Sequence, residues 1–286
     1  MKIKKSLLLL SIVLICSHMV QAQNVLDGVY VRENNPQRRV VPLSFLREAD
    51  VMWSKKVWRI IDLKEKMNLP FGQPEEVIND RRSLNRILFD AVLNGELTAY
   101  SDEEFIKPLF REEFLSSLVK SDKVPKLDEY GEPVINAETG QPDSVQTGDT
   151  LSPTAILQYR IKEEWFFDKQ RSVMDVRIVG MAPLSLLRDS KGNIIEGVPP
   201  TPLFWIYFPE ARKIFSNQEV FMRGNDSDRR TWDDIFLKRM FSSYIYKENN
   251  VFDRRIQDYV QGMDALLEAE RIKMDITNLE HDLWEF

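Results

Sequence analysis

The chain has 286 residues, with 39 lysines and arginines against 45 aspartates and glutamates and a formal net charge of −6. That length suffices for one large or two small domains with a sizeable core, and the acidic balance argues against a general polyanion-binding protein. One cysteine and two histidines exclude a disulfide framework and leave little material for zinc–thiolate or histidine-based chemistry.

Residues 1–22 read as a secretory signal. Lys2, Lys4 and Lys5 precede an apolar run from Leu7 to Ile15 that is too short for a membrane anchor, and Val20-Gln21-Ala22 has the small-residue character of a cleavage site. The expected mature chain is 23–286. Cys16 and His18 fall inside the signal, so His281 is the sole histidine of the mature chain. Ile15 precedes Cys16 where a lipidated cysteine needs a small residue. The expected product is therefore released rather than anchored.

Asp27 to Val31 reads as a turn and short strand, broken by Asn34-Asn35-Pro36. Arg38 to Pro42 is expected to be extended, because Pro42 disfavours helix at Val41. Leu46 to Met67 places Trp53, Val57, Trp58 and Ile60/Ile61 near helical spacing, which predicts a helix ended by Asn68-Leu69-Pro70. Trp53 and Trp58 are expected to face the core. A second helix is predicted over 80–93, capped by Asp80 and ended by Asn94-Gly95. The spacing of Ser101 and Glu104 predicts a third, from Asp102 to Leu118.

Residues 121–150 lose periodicity and read as a loop or hairpin. Ile156 to Phe167 and Ser172 to Met181 are rich in β-branched and aromatic residues and predict two strands, with a further hairpin at Asp189 to Asn193. Leu203 to Phe208 predicts a buried central strand. Thr231 is placed to cap a helix opening on Trp232-Asp233-Asp234. A last helix is predicted from Phe252 to Trp284, either broken near Gly262 and packed at home or reaching beyond its own domain.

Two regions are candidate partner-binding surfaces. Arg32, Arg38, Arg39, Arg47, Lys55, Lys56 and Arg59 concentrate positive charge in an acidic protein, while 264–286 is acidic. These are either two solvated faces or ends that attract a neighbour's opposite end. Arg38 and Arg39 are the partner-facing candidates. On the last helix, Ile272, Ile276, Leu279 and Leu283 nearly supply the spacing of a helix laid in a partner's groove.

Catalytic motifs are weak. Ser117-Leu-Val-Lys120 lacks the companion motifs of a serine nucleophile. Asn225-Asp226-Ser227-Asp228 begins like a calcium loop, but Arg230 stands where glycine is needed and Phe236 where glutamate is needed. Glu163 and Glu164 point to opposite faces of a strand and cannot pair as acid and base. Nothing in the residues implies a cofactor, metal site or catalytic group.

The blocks Asp27–Val31, Arg38–Pro42 and Arg47–Asn68, with Leu97–Ser101, Ile161–Asp168, Phe204–Pro209, Trp232–Phe236 and Phe241–Asn250, closely resemble the GldN/PorN family. The resemblance implies a non-enzymatic component of the type IX secretion and gliding motility machinery. It implies a periplasmic location, held at the outer membrane through a GldK/PorK-type lipoprotein. It also implies a homo-oligomeric ring and contact with the periplasmic domain of a GldM/PorM-type energising protein, with no nucleic acid and with membrane association only through partners. A periplasmic adaptor or ligand-binding domain unrelated to secretion is the alternative. The expected fold is α+β: a mainly antiparallel sheet over about 156–208, packed with N-terminal helices, and a long C-terminal helix. Within 23–286 the expected sub-regions are a helical part 23–120, the 121–150 loop, the sheet 151–215 and helices over 231–286.

Overall fold

The computed structural model describes residues 38–78, 81–125, 144–150, 153–185, 200–222, 224–225 and 227–283. The chain divides into two units, Met1–Pro36 and Gln37–Phe286, and every described residue lies in the second. The expected signal segment, the Asp27–Val31 strand, the hairpin at 189–193 and the cap at Asp80 lie outside the described residues.

The fold is α+β around one mainly antiparallel sheet. The first element corrects the sequence reading: β1 (Val51–Asp62) is a strand where a helix was expected over 46–67. Val51 to Lys56 alternate half-buried and exposed, as a strand with one wet face does, whereas Val57 to Ile61 are buried throughout. Burial on both faces erases the two-residue alternation, and the surviving apolar spacing mimics a helix. Trp58 is buried and Trp53 half-buried.

A short helix α1 (Leu69–Gly72) follows, positioned by Asn68. The Asn68 amide donates to the carbonyls of Asp62 at 2.8 Å and Ser242 at 2.9 Å, and its oxygen accepts from Ser242 N–H at 2.9 Å. Helix α2 (Leu84–Leu93) ends where expected but starts after Ser83 rather than at Asp80, and Gly95 takes the positive φ of 74° that ends it. Strand β2 (Ala99–Tyr100) precedes the expected third helix and β3 (Pro108–Leu109) falls within it, so that helix shrinks to α3 (Arg111–Leu118). Asp102 caps a turn instead, accepting from Ile106 N–H at 3.2 Å and Lys107 N–H at 3.4 Å, and Pro108 bars helix beyond it.

Strands β4 (Val119–Pro125) and β5 (Ser144–Thr150) pair antiparallel as a separate two-stranded sheet, the hairpin form of the expected 121–150 segment. Strands β6 (Gln158–Asp168) and β7 (Val173–Ser185) form the long hairpin read from the sequence. Asp168 holds its turn by accepting from Gln170 N–H at 2.9 Å and Arg171 Nε at 2.7 Å. β8 (Thr201–Pro202) pairs with β7. β9 (Trp205–Tyr207) is only three residues long, because helix α4 (Phe208–Phe215) begins with proline in its first turn, where a missing N–H is tolerated. That helix was not read from the sequence. Helix α5 (Trp232–Leu237) carries the expected cap: Thr231 Oγ1 accepts from Asp234 N–H at 3.2 Å, and Thr231 N–H donates to Asp234 at 3.2 Å.

β10 (Tyr244–Glu248) and helix α6 (Met263–Asp282) complete the unit. The main sheet runs β10-β1-β6-β7-β9-β2-β3, so it extends beyond 156–208 at both edges. Gly262, with φ of 67°, stops α6 from reaching back to Phe252.

Helices α2 to α5 bury Leu88, Phe114, Phe208 and Phe236 against Ile61, Tyr159, Ile161 and Ile206 on one sheet face. Helix α6 packs Ala269, Ile272 and Ile276 on Val57 and Ile245. By strand pairing, Val57 and Ile61 face the same way as Ile161 and Ile206, so these helices all lie on one side.

On the opposite side Phe105 lies over Gly180. A Cβ at Gly180 would stand 2.3 Å from Phe105 Cζ and 3.1 Å from the Ile206 carbonyl oxygen. Phe105 also packs edge-on to Tyr100, Trp205 and Tyr207. Gly180→Ala should therefore eject Phe105 and destabilise the unit by about 1–3 kcal/mol, the cost of overpacking. Denaturant unfolding beside Phe105→Ala checks this, and an unshifted midpoint in Gly180→Ala would refute the packing account.

Candidate interaction surfaces

The sequence offered charge and amphipathic helix rather than catalytic motifs, and the structure redistributes both. Arg38 is an anchor: its N–H donates to Asn217 Oδ1 at 2.8 Å, Nη1 donates to Arg229 O at 3.0 Å, and Nη2 pairs with Glu219 at 3.3 Å. Reversing its charge would disturb these contacts. Arg39 is exposed, and no carboxylate pairs with it among the described residues. Arg47 pairs with Asp50 at 2.7 Å and Lys55 with Glu248 at 2.6 Å, while Arg59 donates to Ser243 Oγ at 2.8 Å. Arg38, Arg47 and Lys55 of the basic block are thus paired with carboxylates of their own chain.

The helix candidates are also corrected. Ile272 and Ile276 are 1% and 5% exposed and belong to the core of their own chain. Leu279 and Leu283 are half-buried on the same side. The exposed apolar residues lie instead on the other side of α6: Met263, Leu266, Leu267 and Met274. Trp284 and Phe286 lie outside the described residues.

The helix-free sheet face carries a layer of aromatic rings and cations around Trp58, Ile60, Trp205 and Tyr246. Lys247 Nζ lies 4.5 Å from the Trp58 ring centroid, Lys162 Nζ 5.7 Å, and the Arg160 guanidinium 4.6 Å from that of Tyr246. All three cations are buried. Lys247 reaches Asp253 at 2.6 Å, and Lys162 donates to Glu103 O at 2.8 Å. Burial lowers the pKa values of Arg160 and Lys162. The arrangement is structural cation–π packing, in which the rings offset desolvation of the charges.

The same burial pushes the Tyr246 hydroxyl from 10.0 up to about 12, against the opposing charge of Arg160. The unfolded tyrosine loses its proton first. Between those values the unfolded state binds fewer protons, so stability is complete below pH 10.0 and falls as pH rises toward about 12. Tyr246→Phe should flatten that alkaline decline in part, since burial raises Tyr159 and Tyr244 as well. Unfolding midpoints in a pH series check it, and an unchanged slope in Tyr246→Phe would refute it.

On the helical side, a cavity of about 680 Å³ opens between α1, the 220–222 segment and α5. Met67, Leu69, Phe71, Phe221, Met222 and Met240 give it an apolar lining. Lys66 and Arg239 also line it, and no aspartate or glutamate does. Arg239 Nη2 is held 2.9 Å from Glu163 Oε1, and Glu163 itself is fully buried. Arg81 stacks over Phe221 at 5.8 Å, and Arg230 reaches Met240 Sδ at 3.1 Å. Apolar walls of this volume with few polar groups are typical of binding sites.

The weak motifs resolve as local structure. Ser117 and Lys120 sit at the junction of α3 and β4. Asn225 accepts from Ser227 N–H at 3.1 Å in a tight turn. Glu163 faces Arg239, and Glu164 lies on the opposite face of β6. Among the described residues no group of three or more His, Cys, Asp or Glu side chains could hold a metal ion. No described helix is long and apolar enough to cross a membrane.

The fold and these surfaces define an α+β protein with an apolar cavity on its helical side and a C-terminal helix bearing exposed apolar residues. Residues 46–285 match a family model described as Gliding motility associated protein GldN. The chain belongs to that family. No curated protein matches the chain closely enough to count as a relative.

Proposed function

We propose that this chain is a structural, non-catalytic component of the type IX secretion and gliding motility machinery, acting in the periplasm. It would form a ring with a GldK/PorK-type outer-membrane lipoprotein and contact the periplasmic domain of a GldM/PorM-type energising protein. The observation that supports this reading is membership of a gliding-motility family along 46–285. Surfaces suited to protein contact accompany it.

Affinity purification from detergent-solubilised envelope tests the reading. Recovery of the lipoprotein and the energising protein is the expected result, with loss of secretion in a deletion strain. Recovery of neither, with normal secretion, would leave a periplasmic adaptor or ligand-binding domain. Arg39 is proposed as one partner contact, because its charge is exposed and uncompensated among the described residues. Arg39→Glu should weaken co-purification with a steep salt dependence. Unchanged recovery at low salt would remove Arg39 from the interface.

A further inference from the structure

Of the three cations buried on the helix-free face of the sheet, two have polar partners in their own chain. Lys247 reaches Asp253 at 2.6 Å and Glu103 at 3.7 Å, and Lys162 donates to Glu103 O at 2.8 Å. Arg160 has none among the described residues: its guanidinium makes no ion pair and no hydrogen bond there, and its Nε is buried without a partner. The residue is 8% exposed and stands in the strand register between Ile60 and Ala182, neither of which has a polar side chain. The Tyr246 ring centroid lies 4.6 Å from the guanidinium carbon. A ring face offsets part of the desolvation of a charge but supplies no oxygen to the forked N–H groups of a guanidinium. Cation–π packing therefore accounts for Lys162 and Lys247 together with their partners, and leaves the donors of Arg160 unanswered.

A second guanidinium stands at the edge of the same place. Arg255 is exposed and pairs with no carboxylate among the described residues. Burial lowers the pKa of Arg160 and the like charge of Arg255 lowers it further, against Tyr246 and Glu103. The carboxylates here, Glu103 and Asp253, are both held by Lys247. Lys56 and Glu104 also act on Lys162, with opposite signs. Arg160, Lys162, Lys247 and Arg255 thus outnumber the acids, and positive charge is left over after internal pairing. The Tyr246 hydroxyl keeps its proton at neutral pH, because burial raises its pKa, so it is a donor. Burying a guanidinium without a counter-charge is costly, and groups held at such cost gather where a charged ligand is received. The planar fork selects the ligand, because two parallel N–H groups match the two coplanar oxygens of a carboxylate. Glu103 and Asp253 repel a more highly charged phosphate more strongly than a single carboxylate.

We propose that Arg160, Arg255 and the Tyr246 hydroxyl form a binding site for a carboxylate on the helix-free face of the sheet. Arg160 grips the two oxygens side by side, the Tyr246 hydroxyl donates to one of them, and Arg255 closes over the charge from the solvent side. The carboxylate is that of a free small acid or of an acidic side chain on another protein, and the chemistry of recognition is the same for both. The assembly reading above does not invoke this face, so it stands or falls separately.

Urea unfolding of the full chain in sodium acetate and in sodium chloride of equal ionic strength tests the site. Acetate should raise the midpoint above that in chloride, because it binds the folded state alone. General salt effects act on every variant alike and cancel in the comparison. Arg160→Met should raise the acetate concentration for half of the shift about tenfold or more, as loss of charge-assisted hydrogen bonds does. Arg255→Gln, at an exposed position that leaves the fold intact, should raise it about two- to fivefold, as for a screened charge. An acetate shift that neither substitution changes overturns the proposal, as does the absence of any shift, or greater protection by inorganic phosphate. The source is read with Arg160→Lys in the intact envelope, using a carbodiimide. The reagent joins the new amine to a touching carboxylate as an amide and takes up the water lost. Coupling of position 160 to an Asp or Glu of another protein identifies a side chain as the ligand, and coupling to one small acid of discrete mass identifies a free ligand. Coupling to Glu103 or Asp253 shows that the chain answers its own charge and overturns the proposal, as does no coupling at all.

Discussion

Asp233→Ala should lower the unfolding free energy by about 3–5 kcal/mol, the cost of stranding a buried charge. Arg212 and Asp233 form a two-pronged pair, Nε to Oδ1 at 2.8 Å and Nη2 to Oδ2 at 3.0 Å, with both side chains 6% exposed. Arg212 Nη2 also donates to the Val41 carbonyl at 2.7 Å. The pair therefore joins α4 to α5 and ties the 38–46 segment to both. Removing the carboxylate leaves a guanidinium with neither water nor a counter-charge. Replacing both residues together by leucine should cost far less, because the desolvation penalty disappears with the charges. A double-mutant cycle by urea unfolding measures the difference. A loss below about 1 kcal/mol for Asp233→Ala would mean that the pair behaves like an exposed one.

Phe236→Ala should cost a similar amount, about 3–5 kcal/mol, for a different reason. Phe236 is 1% exposed and its ring meets Phe208 at 5.3 Å, Phe215 at 5.5 Å, Phe71 at 5.7 Å and Phe241 at 5.9 Å. Truncation loses the transfer free energy of the ring and opens a cavity that four surrounding rings cannot collapse into. Phe236→Leu should recover part of the loss. The neighbouring Leu237 is 41% exposed, so Leu237→Ala should change stability little. Equal losses at both positions would contradict the packing described.

The elements legible in the sequence were those whose signals are local. The Thr231–Asp234 cap, the Gly95 stop and the β6–β7 hairpin each depend on a few neighbouring residues, and each stands where expected. β1 failed because its signal is not local. Val57 packs under α6 and Ile61 under the other helices, while Trp58 and Ile60 are covered on the opposite face among Trp205 and Tyr246, partners remote in sequence. The third expected helix failed because Asp102 found a turn to cap before a helix could form, and Pro108 lies in its path. Helix α4 was missed because Leu203–Phe208 is apolar whether it ends as strand or opens as helix.

The interaction surfaces divide in the same way. The sequence by itself determined that this is an acidic α+β chain with a basic N-terminal block and an amphipathic terminal helix, because composition, caps and turns are properties of neighbours. It also carried the residues that resemble the gliding-motility family. Only the tertiary structure decided which charges remain free and which side of α6 is covered. Arg38 is spent on Glu219 and Asn217, and Arg39 is not. Ile272 and Ile276 are buried, and Leu266 and Leu267 are not. Both stripes of α6 are apolar at helical spacing, so periodicity marks two candidate faces. The sheet can cover only one, and that choice is made by contacts with β1 and β10, more than two hundred and about thirty residues away along the chain.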